Sequence, residues 1–175
     1  MSLNNSTSRL ARRLDGLLFF PYLLGERTLG SAAARGSFTG LTLEHTRGHL
    51  ARAVMEGICF DNRRALELIA ASDDAPLRCT GGGARSGLWN QIRADIYDRP
   101  VSVLAAREGG ILGAALLAGL GAGWYDDAAA AAEHVAEPGQ CWRPRPEAAE
   151  RYRAAYTTFR SVHDGLDPGW VRWYS

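Results

Sequence analysis

A run of three glycines stands where a predicted strand turns into a predicted helix, in Thr80-Gly81-Gly82-Gly83-Ala84-Arg85-Ser86. Without Cβ atoms, this backbone can be approached closely by a flat or charged ligand. The N-terminus of the following helix offers unpaired N–H groups and a partial positive charge, which suit a phosphate or the edge of a nucleotide. The run lacks the GxGxxG spacing of dinucleotide-binding turns. Alone, it is equally typical of a tight structural turn and of a ligand loop.

Two other groups of residues could bind metals or form disulfides. His45 and His49 are four apart and would share one helix face, but no third ligand is evident and the sequence HTRGH lacks the glutamate of the zinc-protease motif. Solvated or core histidines are therefore favoured, and no metal site is predicted. The three cysteines are odd in number and widely spaced, which favours a reduced, cytoplasmic setting.

The elements that position the glycine run follow from the pattern of apolar residues. Residues 77–80 and 101–104 are predicted strands, residues 86–97 a helix, and the Gly/Ala-rich segment from about 110 to 120 a second helix. The order strand, glycine turn, helix, strand, helix predicts an α/β domain with a parallel sheet and helices packed on it.

The flanking segments are predicted from periodicity and from helix-start signals. The run LLFFPYLL, residues 17–24, is interrupted by Pro21 and predicts an edge or irregular extended stretch. Apolar residues recur at spacings of three and four over residues 43–71, which predicts a helix with Thr42 as N-cap and His45 at the third helical position. Residues 126–134 and 147–162 are predicted helices around a Pro/Gly-rich connector.

Composition limits the classes of function. At 175 residues, with 46% hydrophobic and 22% charged residues, the chain suits one compact domain. A net charge of +1 and scattered arginines argue against nucleic-acid binding. All 20 basic residues are arginine, which excludes a P-loop because that loop requires lysine. The longest uncharged stretch, residues 109–125, is shorter than the roughly 20 apolar residues of a membrane helix, so no membrane is predicted.

Two segments carry a resemblance to a known family. GSFTGL at residues 36–41, followed after seven residues by HLARAVME at 49–56, resembles the second signature of the FGGY carbohydrate kinases at every constrained position. FPYLLGERT, RAVMEGICF and TGGGARSGLWNQIRAD are most similar to the xylulokinases of that family. The resemblance covers roughly residues 17–159.

The resemblance implies a fold and a domain organisation. The fold is the α/β fold of the ribonuclease H-like, actin-like ATPases, here expected to be truncated at its N-terminal strands. Residues 1–16 are expected to form a leader or disordered start, residues 17–165 the nucleotide-facing C-terminal domain, and residues 166–175 a tail.

The resemblance also implies site residues and cofactors. The family's counterpart of the glycine run packs against the adenosine of ATP, so Gly81, Gly82 and Gly83 are expected to bind the cofactor, with Ser86 in the first turn of the helix and Asn90 as a weaker candidate. ATP and Mg²⁺ are the implied cofactors, and a ketopentose such as D-xylulose the implied sugar. The family's catalytic aspartate lies in the first domain. No segment here matches it, so no catalytic residue is expected in this chain.

Alternative functions are also consistent with the sequence. A kinase would need the missing N-terminal domain as the partner that closes on sugar and ATP. A catalytically inactive remnant that binds a nucleotide or a protein would equally lack the catalytic aspartate. Such a remnant could self-associate as a homodimer, because removing a partner domain uncovers apolar surface.

Overall fold

The computed structural model describes residues 16–27, 32–69, 76–104, 109–133 and 138–174 of the chain. Strands β1 (Leu18–Phe20) and β2 (Ser37–Thr39) precede helix α1 (Arg47–Leu68). Strand β3 (Leu77–Cys79), helix α2 (Gly87–Tyr97), strand β4 (Val101–Leu104) and helix α3 (Gly109–Gly121) follow. Helix α4 (Ala128–Glu133), strand β5 (Pro138–Trp142) and helix α5 (Pro146–Tyr174) complete the order. The expected leader, residues 1–16, lies outside the described residues except for Gly16.

The described strands form two small sheets. Strands β1 and β2 pair antiparallel, and the second sheet has the order β3-β4-β5. In that sheet β3 and β4 are parallel, as the alternation of strands and helices predicts, with Leu77 opposite Val101. Strand β5 runs antiparallel to β4 and was not predicted, because it lies in the Pro/Gly-rich connector. It begins at Pro138 on the sheet edge, where a residue without an N–H group is tolerated.

Helix α1 begins one turn later than predicted. Its N-cap is Thr46, and the Thr46 N–H donates to Nδ1 of His49 at 3.0 Å. The same arrangement occurs one turn earlier, where the Thr42 N–H donates to Nδ1 of His45 at 2.8 Å, but there the chain forms only an isolated turn. The assignment of Thr42 as N-cap is therefore wrong. Both threonine–histidine pairs have the same spacing and the same chemistry, so local sequence does not distinguish them.

Helix α5 continues past the predicted end at Val162 to Tyr174. Trp170, near its end, is 8% exposed and packs on Phe20 with 5.9 Å between ring centroids. Residues 166–174 therefore belong to a packed helix, which differs from the tail expected for residues 166–175.

The main core is an aromatic cluster that joins β1 to α1 and α5. The ring of Phe159 lies 4.7 Å from that of Phe20 and 5.3 Å from that of Phe60, measured between centroids. Phe19, which points to the other side of β1, packs with Leu17 and with residues of α1 in a smaller cluster. Successive side chains of a strand face opposite sides, so β1 is covered on both.

A buried polar network also connects α1 to α5. Nε–H of Arg52 donates to Oε1 of Glu56 at 2.6 Å, and Nη2–H of Arg52 donates to the Tyr152 hydroxyl at 2.6 Å. The Tyr152 hydroxyl in turn donates to the same Glu56 oxygen at 2.6 Å. All three side chains are buried, so this triangle links the two helices through a shared hydrogen-bond network.

Buried protonated groups predict an alkaline limit to stability. Burial is the main cause that raises the pKa of Tyr97 and of Tyr152 above the ordinary 10.0, and it raises the pKa of the Cys59 thiol from 9.0 to about 11. As the pH rises, the unfolded chain therefore loses these protons before the folded chain does, and the free energy of unfolding falls. Each group should contribute a loss of about 1.4 kcal/mol per pH unit once its unfolded pKa is exceeded.

Urea denaturation across about pH 8 to 11 measures this effect, which starts near the unfolded pKa of cysteine and tyrosine. Tyr152→Phe, which cannot ionise, should show a shallower loss of stability above about pH 10 than the unmodified chain. An unfolding free energy that stays constant across the range would contradict the expectation.

Candidate nucleotide site

The glycine run forms a short 3-10 turn, Gly82–Arg85, between the carboxyl end of β3 and the start of α2. Gly81 precedes the turn with φ 83°, a backbone conformation that favours glycine. Gly81 and Gly82 are exposed, and apart from chain neighbours no heavy atom of the described residues lies within 4 Å of where a Cβ on either would stand. The outer side of the turn is therefore bare, accessible backbone.

Ser86 stands at the start of α2, as the sequence predicts. It is the N-cap residue, and its hydroxyl oxygen accepts the Trp89 N–H at 3.2 Å. The N-terminal N–H groups of an 11-residue helix thus lie beside the glycine turn, with the partial positive charge that suits an anion.

The inner side of the turn packs closely on α2. A Cβ on Gly83 would stand 2.9 Å from Nη2 of Arg93 and 3.0 Å from Cζ3 of Trp89. A side chain at this position would therefore displace Arg93 or Trp89, so packing inside the chain favours glycine here. Contact of Gly83 with a nucleotide stays a prediction.

Asn90 lies beneath the turn and is fully buried. Its Nδ2–H donates to the carbonyl oxygen of Ala84 at 2.7 Å, and its Oδ1 accepts Nη1–H of Arg93 at 2.7 Å. Arg93 also donates to the carbonyl oxygen of Gly83 at 3.3 Å, and its guanidinium lies 4.5 Å from the ring centroid of Trp89. In this structure Asn90 holds the turn from inside, and its direct contact with a nucleotide stays a prediction.

Trp89 and Arg93 also belong to this site, although the sequence did not predict them as site residues. They are four residues apart on α2, and Asn90 and Arg93 are three apart, which are the spacings at which side chains meet on one helix face. The signal was therefore present in WNQIR, but the same spacing occurs on every helix and did not single these residues out.

The turn lies at one edge of the second sheet. Strands β3 and β4 are parallel, so their carboxyl ends meet at that edge, where ligands bind in open α/β sheets. A Cβ on Gly109, at the start of α3, would stand 2.7 Å from Oγ1 of Thr80, so α3 begins directly beside the turn.

Two negative findings apply to the described part of the chain. It contains no group of three or more His, Cys, Asp and Glu residues that could hold a metal ion. None of its helices combines the length and the apolarity needed to cross a bilayer.

The rings of His45 and His49 lie 5.5 Å apart between centroids, and each Nδ1 accepts a backbone N–H.

The fold and the glycine turn first define a class. The chain superposes on the xylulose kinase of Lactobacillus acidophilus with a TM-score of 0.84 and 28% sequence identity, over 97% of this chain and 35% of that one. The chain therefore has the ribonuclease H-like fold of the actin-like ATPases, as the resemblance implied.

The family follows from the sequence comparisons. The family model "FGGY family of carbohydrate kinases, C-terminal domain" matches residues 2–122, and the chain belongs to this family. The match begins at residue 2, inside the segment for which the sequence predicts a leader or disordered start, residues 1–16.

Two curated relatives show how much of a full protein is present. Xylulose kinase from Staphylococcus epidermidis is 36% identical over 152 residues, which are 85% of this chain and 31% of the relative. Gluconokinase from Bacillus subtilis is 35% identical over 162 residues, which are 87% of this chain and 31% of the relative. The chain thus spans about a third of the length of the curated relatives it matches.

Proposed function

We propose that this chain supplies the adenosine side of the ATP site of a sugar kinase that phosphorylates a ketopentose such as D-xylulose. The observation that carries the proposal is the bare outer side of Gly81 and Gly82 beside the N-terminus of α2. Both xylulose kinase and gluconokinase are among the relatives. Within the family, FPYLLGERT and TGGGARSGLWNQIRAD favour xylulose as the sugar.

The residues of the turn fit an adenosine. A flat base can lie against Gly82 because no side chain of the described residues occupies that space, and Ser86 is placed at the helix start beside it. ATP would supply the transferred phosphoryl group, with Mg²⁺ carried on its phosphates, where this ion keeps part of its water shell. The share of this chain is to bind and orient the nucleoside. We propose that the catalytic aspartate comes from another domain.

The substitution Gly82→Val tests the placement of the nucleotide. Valine would fill the space proposed for the base, yet its Cβ meets no other part of the described chain, so the fold should be unaffected. Calorimetric titration with MgADP should show saturable binding to the unmodified chain and affinity at least about tenfold weaker in the variant, a loss of about 1.4 kcal/mol.

Gly165→Val is the matched control, because Gly165 is also exposed and its Cβ position is open, but it lies on α5. It should bind MgADP with unchanged affinity. Equal affinity of the Gly82→Val variant and the unmodified chain would contradict the placement. If the folded, unmodified chain does not bind MgADP at all, the proposed share of this chain is wrong.

Helix α3 indicates the kind of partner this domain would need. It consists of Gly, Ala, Leu and Ile alone, and within it Ile111 is 70% and Leu117 72% exposed. An apolar helix with so much exposed surface is typical of a contact with another protein segment. We propose the N-terminal kinase domain as that partner. The alternative is a catalytically inactive remnant, which would cover the same helix in a homodimer.

We propose the cytoplasm as the setting. The three cysteines, Cys59, Cys79 and Cys141, are free thiols in this structure, which suits a reducing compartment.

A further inference from the structure

We propose that Arg93, acting with Asn90, is a positioning residue of the nucleotide site, because it holds the carbonyl groups of the glycine turn inward and keeps the outer side of the turn bare. This inference rests on the proposed function, since it takes the ligand of the turn to be a nucleotide. It adds a role for two side chains that lie under the turn and not at its surface.

The first support is the hydrogen bonding of the carbonyl groups of the glycine turn. The Gly83 oxygen accepts Nη1–H of Arg93 and the Ala84 oxygen accepts Nδ2–H of Asn90. The Gly81 oxygen accepts the Ala84 N–H at 3.1 Å within the turn. A carbonyl that pointed outward would present its negative end to an incoming phosphate or to the acceptor nitrogens of a base. With these carbonyls bonded inside the chain, that repulsion is avoided and no rearrangement is needed on binding.

The second support is the way in which Arg93 is itself held. Its guanidinium stacks on Trp89, and Nε1–H of Trp89 donates to Sγ of Cys59 at 3.3 Å, so contacts run from α1 through α2 to the turn. A planar guanidinium can stack and donate hydrogen bonds at the same time. Among the described residues, the hydrogen-bond acceptors of Arg93 are neutral, the Asn90 side chain and the Gly83 carbonyl.

Arg93→Met tests the proposal. Methionine retains an unbranched side chain over Trp89 but removes both the donors and the charge. Calorimetric titration should show that MgADP binds about tenfold more weakly, which is the effect of losing a charged hydrogen-bonding group that orders a site. Arg93→Lys should recover part of this affinity, because an ammonium retains the positive charge and hydrogen-bond donors but does not stack as a plane. Arg172→Met, at an exposed position near the end of α5, is the charge-matched control and should bind normally.

Tryptophan fluorescence distinguishes a positioning role of Arg93 from a general contribution to stability. The Trp89 ring lies directly beneath Gly83, so MgADP binding should change the tryptophan fluorescence, and this change should be absent in Trp89→Phe. In Arg93→Met the emission without ligand should already differ from that of the unmodified chain, because the stacked cation is gone. A residue that contributed only to stability would lower the melting temperature but would leave the affinity of the folded protein unchanged.

The MgADP titrations distinguish failure of the positioning role of Arg93 from failure of the proposed function. If the unmodified chain binds MgADP and Arg93→Met binds it equally well, the positioning role is overturned. If the unmodified chain does not bind MgADP, the proposed function fails, and Arg93 is then judged by hydrogen exchange at the amides of Ala84 and Ser86, which are bonded within the turn. Exchange about tenfold faster in Arg93→Met supports its hold on the turn, and unchanged exchange overturns it.

Discussion

Replacing Arg145 by methionine is expected to lower the free energy of unfolding by about 3 kcal/mol, because it removes the cation from a fully buried carboxylate. Asp95 has no exposed surface, and Arg145 donates to its Oδ2 from Nη2 at 2.6 Å and from Nε at 3.1 Å. After the substitution, two neutral donors remain among the described residues, the backbone N–H of residue 145 at 2.9 Å and Nε2–H of Gln91 at 3.0 Å. The Arg145 side chain is 55% exposed, so water screens the pair, and we place the loss at the lower end of the range for buried pairs.

Chemical denaturation followed by circular dichroism measures the loss. Arg160→Met is the matched control, since Arg160 forms a wider, exposed ion pair with Glu67 at 3.7 Å and should cost less than about 1 kcal/mol. The double variant Arg145→Met with Asp95→Asn should regain much of the stability, because a neutral amide is less costly to bury than a charge. Equal losses for Arg145→Met and Arg160→Met would show that the buried position of Asp95 is unimportant.

This ion pair matters for the site because of where it lies. Asp95 is on α2, the helix that carries Asn90 and Arg93, and Arg145 directly precedes α5. The pair therefore fixes the helix that supports the glycine turn to the last helix of the fold. The stability measured at residue 145 and the nucleotide affinity measured at residue 82 therefore report on the two ends of the support of α2, its ion pair with Arg145 and the glycine turn before it.

Gly57→Ala is expected to destabilise the fold by about 2 kcal/mol, even though alanine is normally the better helix former by about 1 kcal/mol. Gly57 lies inside α1 where the helix crosses β1, and an added Cβ would overlap the carbonyl oxygen of Phe19 and stand 3.2 Å from the Phe19 Cβ. The helix would have to move away from the strand, and the packing between them would be lost. The melting temperature should fall by roughly 5 °C.

Gly165→Ala is the matched control for this prediction. Gly165 is also inside a helix, but a Cβ there meets open space, so alanine should raise stability by up to about 1 kcal/mol. Differential scanning calorimetry compares the two variants. If both shift the melting temperature upward, the contact between α1 and β1 is not as close as described.

The family signature at residues 49–56 predicted the helix and the family but not what its residues do. Glu56, its last constrained position, is a buried acceptor for Arg52 and Tyr152, and the following Gly57 permits the close crossing of β1. These partners are distant in sequence, Tyr152 by 96 residues, so no local pattern could reveal them. The signature at these positions describes packing between α1 and its neighbours.

Local signals predicted the elements around the glycine turn well. Strand β3, helix α2 and strand β4 agree with the sequence, because Ser86 caps the helix and Arg99-Pro100 ends it. The misplaced boundaries depend on tertiary contacts. Helix α5 extends to Tyr174 because Trp170 packs in the core. Strand β5 forms because its backbone pairs with β4. The open space beside Gly82 followed from its residue type, whereas the hydrogen bond from Arg93 to the Gly83 carbonyl joins residues ten apart and was not predicted.

The contact of Phe20 with Phe159 and Trp170 brings together the first described strand and the end of the last helix. During synthesis this aromatic cluster cannot close until residue 170 has left the ribosome, so the side of β1 that carries Phe20 stays without these partners until then. Contacts between such distant parts of a chain slow folding and lengthen exposure to aggregation. The last turns of α5 are made after the other members of this cluster, so they complete the core.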